Sequence, residues 1–220
     1  MPDQKKEKRH PVLDPINRIS EIIFGLLMAL SFTGSLNAAS DGREEVRTMM
    51  LTALGCNLAW GLVDAVMYII GTLTERARNL TLLRLVRSAA DQQSAHAGIA
   101  EALPGRLGEA IGSDGLEDMR RRLIAVPELP NRAHLSGDDF TGALGVFLLV
   151  VLATFPVVVP FMFISETALA MRVSNGVALV MLFVAGYRLG DYAGGIPWRT
   201  GFAMAAVGAA LVFIIMALGG

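Results

Sequence analysis

Of the chain's 220 residues, 53% are hydrophobic, only 18% are charged and 11 are methionine, a balance that excludes an ordinary cytosolic globular enzyme, where charged residues make up about 25%. The net charge of −1 conceals a strong segregation of Lys and Arg along the chain, the more informative property for a membrane protein. A single cysteine, Cys56, excludes an intrachain disulfide and reads as a small packing residue inside an apolar run.

In chain order, residues 1–21 form a polar segment carrying Lys5, Lys6, Lys8, Arg9 and Arg18. Residues 22–73 hold two predicted spans, 22–39 and 48–73, each long enough to cross or nearly cross about 30 Å of hydrocarbon. The first reads as a retained helix, because Leu36-Asn37-Ala38 makes a poor signal-peptidase site. The second carries a lone acid, Asp64, whose insertion at that depth costs about 2.5–3.5 kcal/mol.

Residues 74–139 read as a small helical cytoplasmic insert. Leu80, Leu83 and Val86 continue the second span's period, so that helix is expected to run on past Leu73. Pro104-Gly105 closes the first stretch of the insert, Asp114 with Glu117 resembles a capping box for a helix ending near Ile124, and Pro127 and Pro130 break the chain. Ser136-Gly137-Asp138-Asp139 then supplies cap residues. The remainder, 140–220, contains three predicted spans, 140–164, 169–187 and 201–218. Pro156 and Pro160 lie inside the first of these and predict a helix break, since each removes a backbone donor. Gly201, Ala205 and Ala209 form a small-residue ridge suited to close helix packing.

The basic residues set the expected orientation. The N-terminal cluster and the nine arginines between the second and third spans fall on one side if the N-terminus is cytoplasmic and the C-terminus outside. A plasma or inner membrane is the expected location.

Within the second span, Asn57, Gly61, Asp64 and Tyr68 are spaced by four, three and four residues and so share one helical face. On the first span Glu21, Gly25 and Met28 follow the same spacing, with Glu21 at the cytoplasmic mouth. Carboxylate, amide and thioether on facing stripes suit a partly dehydrated divalent metal, oxygen serving hard ions and sulfur softer ones. In the insert, Glu101, Glu109 and Glu117 are candidate cytoplasmic cation ligands. No phosphate loop, nucleophile elbow or His-rich triad occurs, so neither enzymatic activity, nor a permanently bound cofactor, nor a nucleic-acid partner is expected.

Three segments carry a family resemblance. Phe24-Gly25-Leu26-Leu27-Met28-Ala29, Leu58-Ala59-Trp60-Gly61 and Phe155-Pro156-Val157-Val158-Val159-Pro160-Phe161, with the five-span plan and the helical insert, resemble the vacuolar iron transporter family. The resemblance implies a proton-coupled exporter of ferrous iron or manganese that works as a homodimer in the bilayer. Met28 stands where the family has Asp, Leu58 where it has Met, and Leu62 where it has Glu. Asp64 lies two residues beyond that last position, roughly 200° around the helix. An alternative expectation is a divergent, non-transporting member of this fold that binds a protein partner through its cytoplasmic helices and keeps Asp64 as structural glue.

Overall fold

The computed structural model describes residues 15–34, 43–104, 106–126 and 130–218, apart from the side chains of Pro15, Arg43, Glu45 and Glu109. The basic cluster at Lys5–Arg9, the Leu36-Asn37-Ala38 segment, Gly105 and Pro127 lie outside the described residues. Among those described, the chain is all-α, with seven helices and no strand: α1 Pro15–Gly34, α2 Arg43–Ser88, α3 Gln92–Ala102, α4 Leu107–Ile124, α5 Gly137–Phe163, α6 Thr167–Tyr192 and α7 Pro197–Ala217. Five of them, α1, α2, α5, α6 and α7, are long and apolar enough to cross a membrane.

The first helix begins seven residues before the predicted start at 22, so Glu21 lies in its second turn. The second continues unbroken to Ser88 as a 46-residue helix, as the continued apolar period predicts. The fifth stays α-helical through Pro156 and Pro160, which corrects the expected helix break. In a span, neighbouring helices, hydroxyl side chains and small local adjustments can re-satisfy the groups that proline frees.

The chain divides into two compact units, 1–68 with 138–220, and 69–137. In the first, the buried face of α5 runs through Gly142, Ala143, Val146, Val150, Ala153, Thr154 and Val157, whose spacings of one, three and four residues keep them on one helical stripe. Leu26, Ala29 and Leu30 of α1 pack there with Ala153 and Val157 of α5 and Ala178 and Leu182 of α6. Lipid tails are as apolar as these side chains, so close van der Waals packing rather than the hydrophobic effect holds spans together. Small residues make that approach possible. A Cβ on Gly25 would stand 2.9 Å from the Val150 carbonyl oxygen, and one on Gly61 3.1 Å from that of Phe147. On α7 the buried small residues are Gly201 and Gly208, two turns apart, with Ala205 and Ala209 only partly covered. Phe183 of α6 fills the space over Gly201, and Leu182 that over Gly208.

The second unit has its own core of Val86, Ile99 and Leu116, flanked by Leu82, Leu103 and Met119. Asp91 caps α3 by accepting from the Ser94 backbone N–H at 2.7 Å. Within α4, Gly112 turns to φ 69°, ψ 176°, a conformation open to glycine because it has no Cβ. Three arginines of α2 tie down the returning chain through carbonyls: Arg76 donates to His134 at 2.7 Å, Arg84 to Asn131 at 2.6 Å, and Arg87 to Val126 and Ile124. The Arg87 contacts place a cation at the C-terminus of α4, where unpaired carbonyls and the helix dipole favour it.

Candidate functional site

The stripe on α2 faces α1 and α5. Asn57 is 1% exposed, and its Nδ2 donates to the Gly25 carbonyl of α1 at 3.3 Å and to Thr154 Oγ1 of α5. Thr154 Oγ1 in turn donates a hydrogen bond to the Val150 carbonyl at 3.3 Å. One amide therefore joins three helices, and it does so because Gly25 lets the α1 backbone come close enough to offer a carbonyl. Among the described residues, Asn57 Oδ1 is buried with no hydrogen-bond partner. A buried acceptor without a donor costs about 1–3 kcal/mol.

Two turns along α2, the half-buried Asp64 carboxyl meets Glu21 of α1 at hydrogen-bonding range. Its Oδ2 is likewise buried with no partner among the described residues. A hydrogen bond between two carboxyl groups needs a proton on one of them, whereas a cation between them needs none. Tyr68, one turn further, lies over Gly142 of α5, where an added Cβ would be 2.5 Å from the phenol oxygen. Met28 is half-buried on α1, two turns beyond Glu21 and so about 10.5 Å along the axis.

The structure thus brings Glu21 to Asp64 and Asn57 to the α1 backbone, and sets Met28 away from the carboxyl pair. Sequence reasoning missed Thr154, Ser174 and Asp139. Ser174 of α6, fully buried, donates to the Val157 carbonyl of α5 at 2.6 Å. Asp139, expected as a cap residue, is 4% exposed in the first turn of α5, one turn from Gly142. All three are polar residues on otherwise apolar buried faces, the signal that singled out Asp64.

The candidate acids of the second unit have other surroundings. The Glu117 carboxylate accepts from Arg120 at 2.8 and 2.9 Å, from Arg121 at 3.0 Å and from Gln92 at 2.9 Å, with His96 at 3.1 Å. These bonds, Arg120's foremost, hold its carboxyl well below the usual carboxylate range. Glu117 is occupied there rather than completing a capping box. Glu101 is exposed, and the Glu109 side chain lies outside the described residues. Among the described residues no group of three or more His, Cys, Asp or Glu is gathered to hold a metal.

The low Glu117 value predicts a pH signature. A carboxyl whose folded pKa is depressed stabilises the fold fully above its unfolded pKa, here about 4.5, and loses that contribution as pH falls toward the folded value. Glu117→Gln is therefore expected to lower the thermal midpoint at pH 7, with the gap to wild type narrowing between pH 4.5 and pH 3. Circular-dichroism melts in detergent check it. A pH-independent gap would sink the charge-based account.

Five apolar helices with polar residues turned toward each other define a helical integral membrane protein. No protein-family model matches the chain, and comparison with curated proteins finds no match either.

Proposed function

We propose that the protein is a membrane transporter that exports a divalent metal ion, iron or manganese, from the cytosol in exchange for protons. The observation that supports this reading is the Glu21–Asp64 carboxyl pair, left with a donor-less oxygen on Asp64 and followed on the same face by the donor-less Asn57 Oδ1. Hard divalent ions are bound by oxygens of this kind. Between two carboxyl groups a proton and a cation compete for one place, so loading of metal releases a proton and reprotonation releases metal. Glu21 and Asp64 carry the exchange, Asn57 supplies a neutral oxygen further along, and Tyr68 and Met28 line the path on either side.

The motif resemblance in α1, α2 and α5 supports the same class and adds a homodimer, while the segregation of basic residues supports a cytoplasmic N-terminus and unit 69–137 on the cytoplasmic side. In this reading the departure at Met28 is offset by Glu21, which gives Asp64 an acidic partner from the first span. A structural reading is favoured by one observation, the Asn57 amide bonded to both α1 and α5. It makes the polar stripe interhelical glue, with the cytoplasmic helices binding a protein partner.

The test is flux. Purified chain in liposomes containing a metal-sensitive dye is expected to move manganese or ferrous iron at least several-fold faster than empty liposomes when a proton gradient is imposed. If neither ion moves in either gradient direction, the transport reading is lost and the structural one stands.

A further inference from the structure

A cavity of about 600 Å³ opens at the ends of three candidate spans, where α2 begins, α5 finishes and α6 starts. It lies inside the first compact unit, apart from the Glu21–Asp64 pair. Its wall is apolar, formed by Met50, Leu54, Val158 and Phe161. Met50 and Val158 are the buried members of a packed cluster there. Its rim is charged: Glu44 and Arg47, both exposed on the first turns of α2, line the mouth. Among the described residues neither forms a salt bridge. Ser165 and Thr167 add hydroxyls to the lining, where the first turn of α6 has no side-chain cap.

An apolar slot under a polar rim, at the level where spans meet headgroups, matches an amphiphile lying along the bilayer. The rim also specifies the headgroup. Glu44 and Arg47 are three residues apart, so neighbours on one helical face, and bring one negative and one positive side chain to the same mouth. A headgroup with a phosphate and a primary ammonium joined by a two-carbon link carries the complementary pair of charges. The guanidinium suits the phosphate through bidentate, charge-assisted bonds, the hydroxyls can donate to its remaining oxygens, and the carboxylate suits the ammonium. A purely anionic headgroup would leave Glu44 facing like charge.

We propose that this cavity is a binding site for a zwitterionic, amine-bearing phospholipid of the phosphatidylethanolamine type, with one acyl chain in the slot between α2, α5 and α6. The proposal rests on these helices spanning a bilayer and is independent of any cargo.

Native mass spectrometry of the detergent-purified full chain, titrated with dioleoyl phosphatidylethanolamine, phosphatidylglycerol or phosphatidylcholine, tests it without reading metal flux. Wild type is expected to retain the ethanolamine lipid at least fivefold better than the other two. Arg47→Gln should reduce that retention about fivefold. Glu44→Gln should move the preference toward phosphatidylglycerol, and Leu54→Trp, which fills the slot, should lower retention of all three. The rim variants are exposed substitutions, and unchanged helix content by circular dichroism confirms that they fold. Equal retention of the three lipids, unaltered by the variants, overturns the proposal. So does a lipid-free dimer that Leu54→Trp abolishes, which would assign the slot to a second copy of the chain.

Discussion

Asp64→Asn is expected to lower divalent-metal flux in proteoliposomes by about tenfold or more while leaving the protein folded. The asymmetry follows from what the substitution keeps. Asparagine has the same shape, retains one acceptor oxygen, and gains an amide that can donate to Glu21 with no proton needed between two acids. Interhelical bonding of α1 to α2 is therefore preserved. What disappears is the negative charge and the capacity to exchange a proton for a cation. Interactions with a charged partner are worth about 1.5–3 kcal/mol, and each ~1.4 kcal/mol is tenfold in rate. Glu21→Gln should act in the same direction. Because the two carboxyls meet, the double variant should lose little beyond the larger single loss, the non-additivity expected of groups acting as one unit. Wild-type flux in Asp64→Asn would remove the pair from the mechanism and leave it a structural contact.

Gly25→Val is expected to have the largest effect on stability, about 3 kcal/mol, seen as a lower thermal midpoint and loss of the folded form in mild detergent. Its Cβ would stand 2.9 Å from the Val150 carbonyl oxygen and 3.3 Å from the Ala153 Cβ. The first of these is backbone and cannot rotate away, so α1 must withdraw from α5. Overpacking alone costs about 1–3 kcal/mol. Withdrawal also carries the Gly25 carbonyl away from Asn57 Nδ2, stranding further buried polar groups at about 1–3 kcal/mol each. Gly55, which has open space at its Cβ, supplies the control: Gly55→Ala should be neutral or slightly stabilising, since alanine suits a helix better. Equal midpoints for Gly25→Val and wild type would show that α1 and α5 are not held at this separation.

Much of this architecture is legible in the residues themselves. The apolar runs specify five long helices because a buried backbone in lipid must satisfy its own hydrogen bonds. Spacings of three and four put Asn57, Gly61, Asp64 and Tyr68 on one face by helical geometry alone. The boundaries were less legible. Glu21 reads as the polar flank of the first span when apolar residues are counted, yet α1 begins at Pro15, because a carboxyl with a partner across the interface can lie inside a helix. Pro156 and Pro160 read as a break from the missing donors, and the helix passes through both.

Composition and periodicity by themselves determined the helical class, the count of spans, and the face of α2 that carries its polar groups, all of which depend on residues near one another in the chain. Only the tertiary structure decided that Glu21 is the partner of Asp64, that Thr154 and the Gly25 carbonyl receive the Asn57 amide, and that Glu117 is held by Arg120, Arg121 and His96. Apart from the Glu117–arginine pairs, which are one turn apart on α4, these contacts join residues 21 to 97 positions apart. Local pattern carries no record of which helix lies opposite. That choice is made by small residues such as Gly25 and Gly61, which set how closely two backbones approach and so which polar groups come within reach.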